Sequence, residues 1–418
     1  MRAYILSIGD ELVSGLTVNT NCAWLSQQLT GLGIGTSTHL TVGDEPEPIR
    51  KAIQEACDKC DVLLISGGLG PTEDDLTRQM IAEALGEKLV EDGCALEQLE
   101  HWFKSRNRVM SPSNRVQAQR PESARCLENT CGTAPGLAAT KGKTRIFAMP
   151  GVPREMKEMF TRSVLPEIKQ AAGDRVTLVT KINTYGMGES ILGEKIKDLM
   201  KRGANPAVGT TVHDGIVSVR IYATGTRDEA IAMTQKIREQ VYARLGALIF
   251  GENEATIEGA VAALLKERRE TIATAESCTG GTLGALLTDI AGSSTYFLRG
   301  WVTYSNESKT DELGVPAALI AEHGAVSEPV VRAMAEGARK RAGTSYGIGI
   351  TGIAGPDGGT EEKPVGTVWL AVASDTGTEA RRIVFPGDRK AVRLRASQMA
   401  LALLRWRILD VGFDTVTK

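Results

Sequence analysis

A chain of 418 residues is too long for one hydrophobic core and predicts two or three domains. Its 42% hydrophobic and 24% charged residues, with no apolar run of about twenty, exclude a disordered chain and a helical membrane protein. A formal net charge of −2 provides no general attraction to nucleic acid. The seven cysteines are an odd number, and no signal-peptide pattern opens the chain. We therefore expect no disulfide framework and a cytoplasmic location.

The first third of the chain alternates predicted strands and helices. Residues 4–8 and 62–65 are continuous apolar runs of the kind found inside parallel sheets, and residues 19–29 and 49–60 have helical spacing. This βαβ rhythm predicts an open α/β sheet with ligands at the carboxyl ends of its strands.

Cys57 and Cys60 have the Cys-x-x-Cys spacing of redox and metal sites. They lie on a predicted helix whose other apolar residues share their face, and no second cysteine pair or histidine cluster accompanies them. Buried apolar packing is therefore favoured over redox or metal use.

A glycine-rich loop follows the strand at 62–65. Gly67, Gly68 and Gly70 let the backbone approach a phosphate, and Asp74 and Asp75 beyond them are suited to a divalent cation. The alternative is a plain strand-to-helix turn with acidic residues in the first helical turn.

Two further segments accompany this loop. One is Ile8-Gly9-Asp10-Glu11-Leu12, after the first strand, and the other is Met149-Pro150-Gly151-Val152-Pro153-Arg154-Glu155-Met156. Together the three segments resemble the MoaB/MogA-like molybdopterin-binding fold, which forms the N-terminal domain of the competence/damage-inducible CinA family.

This resemblance implies a metal-dependent ADP-ribose pyrophosphatase. Asp75 matches the aspartate that follows Gly-Gly-x-Gly in the relatives, and Asp44 matches their second aspartate. Asp10, Glu11 and Asp74 are further candidates. A divalent cation (Mg, Mn or Co), with a monovalent cation as an additional candidate, would neutralise the pyrophosphate while a carboxylate takes a proton from water. The sequence does not identify that base.

Residues 172–252 form a smaller predicted unit, and the same resemblance implies that it is KH-like. Nucleic-acid-binding KH modules carry a Gly-x-x-Gly loop, whereas this segment offers only Gly186-Met187-Gly188. A linker or dimerisation unit is therefore favoured over an RNA binder. Its predicted elements are strands at 176–183 and 216–222 and helices at 189–200 and 227–245.

The remainder of the chain predicts a second α/β domain that ends in a long helix at 388–409. Arg389, Lys390, Arg393 and Arg395 lie on that helix, and we expect most of them to be solvated. The predicted strands are 271–275, 300–304, 346–350, 367–373 and 380–385.

The first of these strands leads through Ala275-Glu276-Ser277-Cys278-Thr279-Gly280-Gly281 into a predicted helix at 283–290. Ser277 thus lies near a helix N-terminus, where unpaired N–H groups can hold an anion or a developing oxyanion. The alternative is that Ser277 merely caps the helix.

Four more segments follow in order. They are 291–294 (Ala-Gly-Ser-Ser), 302–309 (Val-Thr-Tyr-Ser-Asn-Glu-Ser-Lys), 351–359 (Thr-Gly-Ile-Ala-Gly-Pro-Asp-Gly-Gly) and 363–368 (Lys-Pro-Val-Gly-Thr-Val). With the Ser277 segment they resemble the C-terminal domain of the CinA family, whose activity is deamidation of nicotinamide mononucleotide (NMN).

Amide hydrolysis needs a nucleophile, a proton shuttle and oxyanion donors. Ser277 is the candidate nucleophile and Lys309 the base, because a partly desolvated lysine can lose its proton near neutral pH. Ser294 is a candidate relay or alternative nucleophile, and Tyr304 would orient or protonate the leaving group. The remaining candidates would contact the ribose-phosphate and the oxyanion: Thr351, Gly352, Gly355, Thr279, Gly280, Gly281 and, for the phosphate, Arg393.

The predicted architecture is α/β: two open-sheet α/β domains, residues 1–171 and 253–418, joined by a small α+β KH-like domain at 172–252. The predicted function is pyridine-nucleotide salvage, with NMN deamidation in the C-terminal domain without a cofactor and metal-dependent ADP-ribose hydrolysis in the N-terminal domain. Two alternatives remain open: an N-terminal domain that only binds a pterin or nucleotide, or a non-enzymatic partner in DNA uptake or recombination. We expect a homodimer that binds neither membrane nor nucleic acid.

Overall fold

The computed structural model describes residues 1–413, which divide into two compact units. The N-terminal unit comprises residues 1–178 and 223–233, and the C-terminal unit comprises residues 179–222 together with the chain from residue 234. Both units are mixed α/β, which confirms the predicted fold class. Within the described residues, no helix is both long and apolar enough to cross a membrane.

Eight short strands belong to the N-terminal unit, and their apolar side chains form its interior. The first strand is buried from its second residue onward, as expected where helices cover both faces of a parallel sheet. The strands are β1 (Arg2–Ile8), β2 (Gly35–Val42), β3 (Val62–Ser66), β4 (Leu89–Glu91), β5 (Gln119–Pro121), β6 (Arg125–Leu127), β7 (Gly136–Lys141) and β8 (Thr144–Met149).

The main sheet has the order β2-β1-β3-β8-β7-β6, in which the first four strands are parallel, β7 pairs antiparallel with β8, and β6 pairs antiparallel with β7. The carboxyl ends of β1, β3 and β8 therefore meet at one edge. Cys57 and Cys60 are buried, as predicted, and all seven cysteines are free. The helices are α1 (Asp10–Val13), α2 (Thr20–Gly31), α3 (Pro46–Lys59), α4 (Thr77–Leu85), α5 (Gly93–Lys104), α6 (Pro153–Met159) and α7 (Leu165–Ala172).

The middle of the chain forms a four-stranded sheet with the order β10-β11-β9-β12. The predicted helix at 189–200 is shorter than expected, because a 3-10 turn at Lys197–Leu199 replaces its end. The elements are β9 (Val176–Thr184), α8 (Glu189–Lys195), β10 (Ala207–His213), β11 (Ile216–Gly225), α9 (Arg227–Leu245) and β12 (Ile249–Glu252).

The last part of the chain forms a five-stranded sheet with helices on its faces. Its strands are β13 (Ile272–Glu276), β14 (Phe297–Val302), β15 (Tyr346–Gly352), β16 (Thr367–Ser374) and β17 (Gly377–Val384). Its helices are α10 (Ile257–Arg268), α11 (Thr282–Thr288), α12 (Asn306–Leu313), α13 (Ala317–His323), α14 (Glu328–Ala342) and α15 (Arg389–Ile408).

The sheet order β14-β13-β15-β16-β17 places β13 between two parallel neighbours. The strand expected at 300–304 is displaced to Phe297–Val302, so Tyr304 lies in the loop beyond its carboxyl end. Because β13, β14 and β15 are parallel, the residues that follow β13 and β14 lie at the same edge of the sheet.

The largest of the three buried hydrophobic clusters described for the C-terminal unit joins its two sheets. Ile182 and Val219 from the four-stranded sheet belong to the same buried cluster as Ile350 and Leu404. The buried α15 contributes further: its Trp406 indole donates a hydrogen bond to the carbonyl of Ala247 at 2.9 Å. The domain boundaries expected near residues 171 and 252 stay predictions.

Candidate active sites

Ser277 follows the carboxyl end of β13, which lies between two parallel neighbours in the five-stranded sheet. β13 ends at Glu276, and the backbone N–H of Ser277 then donates to the carbonyl of Ile350 on β15 at 3.0 Å. This bond fixes the turn against the sheet, and the side chain is 9% exposed. The serine hydroxyl is therefore held at a sheet edge where parallel α/β sheets commonly bind ligands.

Lys309 lies on α12, and it is 1% exposed despite its charge. Its Nζ is 3.2 Å from Ser277 Oγ, 2.9 Å from the carbonyl oxygen of Thr303 and 3.3 Å from that of Ser305. Burial lowers the pKa of Lys309 below its ordinary value, against a smaller opposing effect of Cys278 and Glu307. The structure thus brings the predicted nucleophile and the predicted base into contact.

Hydrogen-bond geometry explains how a buried amine can serve as a base. A neutral amine has two N–H groups and one lone pair. The Thr303 and Ser305 carbonyls can take the two N–H groups, which leaves the lone pair free to accept the Ser277 proton. This arrangement suits proton transfer from the hydroxyl to the amine.

Glu276 occupies the helix N-terminus that was expected to hold a substrate anion. Its carboxylate accepts hydrogen bonds from the N–H groups of Gly281, Leu283 and Gly284 at 2.8 to 3.1 Å, and its side chain is buried. The expected anion site at the start of α11 is therefore wrong, because the chain's own carboxylate already fills it. Sequence reasoning missed this role, although a glutamate at the end of a buried strand was a visible signal.

The backbone N–H of Thr279, unlike the N–H groups bonded to Glu276, is available to a ligand. It lies in the turn between β13 and α11, and within residues 1–413 it has no hydrogen-bond acceptor. The Thr279 side chain is fully buried and its hydroxyl is also unpartnered among those residues. A donor so close to Ser277 is a candidate for stabilising an oxyanion.

Arg393 directs three of its five N–H groups to the chain itself. Nε and Nη2 both donate to the carbonyl of Thr279, at 2.9 and 2.7 Å, and Nη2 also reaches Thr282 Oγ1 at 3.1 Å. The side chain is half-buried against the Ser277 turn. Arg393 therefore braces this turn, and within residues 1–413 only its Nη1 group has no acceptor, so the phosphate contact stays a prediction.

Ser294 lies at the opposite end of the sheet from Ser277. It is exposed in a 3-10 turn that precedes β14, and Phe297 at the start of β14 pairs with Ile272 at the start of β13. The length of β13 and β14 places it roughly 15–20 Å from Ser277. Within one chain Ser294 is therefore too far away to relay a proton to Lys309, and that prediction is corrected.

Tyr304 and the segment after β15 lie at the same edge of the five-stranded sheet as Ser277. Tyr304 is 60% exposed, and its hydroxyl accepts a hydrogen bond from Arg389 at 2.9 Å. Arg389 also donates to the carbonyl of Gly355 at 2.8 Å. Thr351 is buried and its hydroxyl donates to the carbonyl of Ala325 at 2.9 Å, so the hydroxyl proton is not free for a substrate.

Gly280, Gly281 and Gly352 shape the turns around this site. Gly280 and Gly281 have positive φ angles of 57° and 92°. A side chain at Gly352 would lie 2.7 Å from the carbonyl oxygen of Thr367, so the close approach of β15 and β16 there requires glycine.

A cavity of about 520 Å³ lies in the N-terminal unit, at the carboxyl ends of β1, β3 and β8. Gly67, whose φ of 111° and contact with the Ile8 carbonyl exclude a side chain, opens the loop that forms one wall. The other predicted residues on the wall are Gly68, Gly70, Asp44, Asp74, Asp75 and Glu11. Glu155, from the motif segment at 149–156, also lies there, together with Gln117 and Thr133, which were not predicted.

Asp75 holds the glycine loop together. Its carboxylate accepts hydrogen bonds from the N–H of Gly70 at 2.7 Å and of Thr72 at 3.0 Å, and from the Thr72 hydroxyl. The buried Arg78 braces the same loop through the carbonyls of Leu69 and Gly70, and burial lowers its pKa to about 10. These bonds leave Asp75 less free for a metal than predicted.

Asp44 and Asp10 are joined through their backbones. The N–H of Asp10 donates to the Asp44 carboxylate at 2.9 Å, and the N–H of Asp44 donates to the Asp10 carboxylate at 3.1 Å. Burial raises the pKa of Asp44, and the nearby charges of Asp10, Glu11 and Asp74 raise it further, although the Asp10 N–H partly offsets the effect. Crowded carboxylates of this kind attract a cation.

The donor set fits a cation that is shared with a ligand. Within residues 1–413, no group of three or more histidine, cysteine, aspartate or glutamate side chains is arranged to hold a metal ion by itself. Divalent cations such as Mg²⁺ commonly need only one or two carboxylates when phosphate oxygens complete the coordination. Asp44 and Asp74, both on the cavity wall, fit that mode of binding.

Comparisons with known proteins divide the chain into three matched segments. Residues 4–170 match the family described as a probable molybdopterin binding domain. Residues 180–251 match the damage-inducible protein CinA KH domain, and residues 254–408 match the CinA C-terminal domain.

Full-length relatives match throughout. A CinA-like protein of Gemmatimonas aurantiaca is 43% identical over 427 residues, covering 100% of this chain and 99% of the relative. One from Anaeromyxobacter dehalogenans is 42% identical, covering 97% and 99% of the two chains. Among solved structures, the CinA protein from Thermoplasma acidophilum is 33% identical, with a TM-score of 0.38, over 40% of this chain and 97% of that chain.

Proposed function

We propose that this chain, which belongs to the CinA family, converts nicotinamide mononucleotide to nicotinate mononucleotide and ammonia in its C-terminal unit. Membership supports a nucleotide-processing function of the CinA type. The observation that carries the finer proposal is the 3.2 Å contact between the buried Lys309 amine and the Ser277 hydroxyl. A serine paired with a desolvated lysine is an arrangement for acyl transfer.

In the first half of the reaction, the Ser277 oxygen attacks the carboxamide carbon while the lone pair of Lys309 takes the hydroxyl proton. The carbonyl electrons move onto oxygen, where the free N–H of Thr279 is the candidate donor that stabilises the negative charge. As the oxyanion collapses, the C–N bond breaks and Lys309 returns the proton to the departing nitrogen. Ammonia leaves, and the pyridine carbonyl remains as an ester on Ser277.

In the second half, water takes the place of ammonia. Lys309 accepts a proton from the water as its oxygen attacks the ester carbon, and collapse of the new oxyanion breaks the bond to Ser277 Oγ. The proton on Lys309 then passes to the serine oxygen. The carboxylic acid formed in this step loses its proton to solvent and gives the carboxylate of nicotinate mononucleotide, and both side chains regain their starting states.

Ammonia release from NMN tests this proposal, with the purified full-length protein treated with a chelator. We expect release by the wild type, loss of release in Ser277→Ala, and wild-type release in the control Ser294→Ala, whose hydroxyl lies at the far end of the sheet. Absence of release by folded wild-type protein would refute the deamidase. Loss in Ser294→Ala alone would move the nucleophile away from Ser277.

A second activity is proposed for the N-terminal unit: hydrolysis of ADP-ribose to AMP and ribose 5-phosphate. The specific observation in its favour is the cavity of about 520 Å³ that combines the glycine loop with crowded carboxylates. The absence of side chains at Gly67 and Gly68 lets a pyrophosphate approach the backbone of this loop closely. Asp44 and Asp74 would hold a divalent cation, which when bound neutralises phosphate charge and acidifies a water molecule.

Formation of AMP from ADP-ribose, measured with Mg²⁺, Mn²⁺ or Co²⁺ and with chelator, tests the second activity. We expect cation-dependent AMP formation that falls in Asp44→Asn. Equilibrium binding of ADP-ribose without product would instead support the alternative in which this unit only binds a nucleotide or pterin.

A further inference from the structure

No residue around Ser277 has yet been assigned to bind the phosphate of the proposed mononucleotide substrate. A mononucleotide carries a phosphate that is doubly charged near neutral pH, and such a group is usually bound by arginine in a bidentate manner. Arg393 was the expected partner, but its Nε and Nη2 groups are turned to the carbonyl of Thr279 and the hydroxyl of Thr282. A cation with more unpartnered donors is therefore a better candidate for the phosphate than Arg393.

Arg389 lies one helical turn before Arg393 on α15, and it is exposed. Nη2 donates to Tyr304 Oη at 2.9 Å and Nη1 donates to the Gly355 carbonyl at 2.8 Å. Both acceptors are neutral, and within the described residues the other three N–H groups of Arg389 have no acceptor. The guanidinium is thus held in place by two weak contacts while most of its donors face solvent.

Two observations place this guanidinium beside the reacting groups. The backbone carbonyl of Tyr304 is 3.5 Å from Lys309 Nζ, whereas the Tyr304 hydroxyl contacts Arg389. The Tyr304 side chain therefore spans the distance between the amine and the guanidinium. In addition, burial raises the pKa of the thiol of Cys278, the residue after Ser277, to about 12, and the charge of Arg389 is close enough to oppose part of that rise.

We propose that Arg389 binds the phosphate of a mononucleotide substrate whose carboxamide lies at Ser277, and that it thereby selects phosphorylated over unphosphorylated nucleosides. This inference rests on the proposed deamidase. The exposed ring of Tyr304, between the two ends, offers an aromatic face to a pyridinium cation. Two other arginines of the helix are engaged within the chain: Arg393 uses three of its five N–H groups, and Arg395 donates to the Pro386 carbonyl.

Steady-state kinetics with two substrates test the proposal. For Arg389→Gln we expect the KM for NMN to rise at least about tenfold while kcat stays within about twofold, since a charge-assisted contact is lost only from binding. The KM for nicotinamide riboside, which has no phosphate, should not change. Lys390→Gln, which removes an exposed charge from the next position, is the matched control and should behave as wild type.

An equal rise in KM for both substrates would overturn the proposal, since it would indicate a structural role for Arg389. An unchanged KM for NMN would overturn it as well. Calorimetric titration of the full-length protein with inorganic phosphate separates this proposal from the deamidase itself. Phosphate binding that is lost in Arg389→Gln and kept in Lys390→Gln supports the anion site even if no ammonia is released, whereas equal binding by both variants refutes it.

Discussion

At the scale of single residues, the hydrogen-bond partners of the Lys309 amine differ in what they can do. The carbonyls of Thr303 and Ser305 can only accept hydrogen bonds, whereas the Ser277 hydroxyl can also donate. Only the neutral amine can accept that proton, so the protonation state of Lys309 decides whether the pair is reactive.

The pH dependence of deamidation follows from this requirement. Burial lowers the pKa of Lys309, so the neutral amine forms at a lower pH than on an exposed lysine, whose pKa is about 10.4. We expect kcat/KM for NMN to fall as pH drops through the folded pKa of Lys309 and to reach a plateau above it. Ammonia release measured across this range provides the test, and a rate that does not vary with pH would contradict the role.

Substitution of Lys309 gives a second readout of the same role. Lys309→Arg keeps a positive charge that cannot be removed near neutral pH, and Lys309→Met keeps the length without an amine. Both should abolish ammonia release at every pH. Circular dichroism should show that at least one of them folds, and turnover by a folded variant at the wild-type rate would rule out Lys309 as the base.

Arg393 is expected to act through the Thr279 turn and not through the substrate. Its two hydrogen bonds to the Thr279 carbonyl hold Thr279 in place, and the N–H of the same residue is the candidate oxyanion donor. Arg393→Lys removes the bidentate contact, so we expect kcat for NMN to fall about tenfold or more, with KM within about twofold of wild type. A change confined to KM would instead return Arg393 to the role of phosphate ligand.

At the scale of elements, the N-terminus of α11 is capped by a carboxylate from the last residue of β13. The buried Glu276 accepts the N–H groups of Gly281, Leu283 and Gly284, which would otherwise be left unpaired at the start of this helix. The helix and the Ser277 turn are consequently tied to β13 as one unit, which explains how a short helix can hold a nucleophile in place.

Loss of this cap should lower the free energy of unfolding of the protein. Glu276→Gln replaces one acceptor oxygen with an amide group that cannot accept, so at least one buried N–H loses its partner. We expect the free energy of unfolding to fall by roughly 1–3 kcal/mol in urea denaturation. Glu312→Gln on α12 changes the same charge at an exposed position and serves as the control; equal effects of the two substitutions would contradict the cap.

At the scale of the whole molecule, the two proposed activities belong to different compact units. The glycine loop and Asp44 lie in the N-terminal unit, whereas Ser277, Lys309 and Arg389 lie in the C-terminal unit. The expected homodimer stays a prediction, as does the need for a particular cation.

Separate sites predict separable losses of activity. Ser277→Ala should abolish ammonia release from NMN while AMP formation from ADP-ribose continues at the wild-type rate. Asp44→Asn should have the opposite effect, and chelation should act like Asp44→Asn. Parallel assays on the same preparations provide the measurement. Loss of both activities in Ser277→Ala with the fold retained would show that the units do not act independently.

Much of the fold was predictable because its signals are local. The buried strand before Ser277 and the glycines after it predict a strand, a turn and a helix from adjacent residues alone. The position of Ser294 was also within reach of sequence reasoning. A residue between a crossover helix and the next parallel strand lies at the amino edge of the sheet, away from a serine that follows a strand.

The sequence by itself determined the α/β class, the family resemblance and the residue types that suit amide hydrolysis. It provided no physical basis for preferring Arg393, the predicted phosphate ligand, over Arg389, because residues four apart lie on the same side of a helix and helical periodicity treats them alike. Only tertiary packing decided that one meets the Thr279 carbonyl and the other meets the Tyr304 hydroxyl. The same holds for the Ser277–Lys309 contact, since residues 32 apart in the chain meet only when neighbouring parallel strands bring their carboxyl ends together.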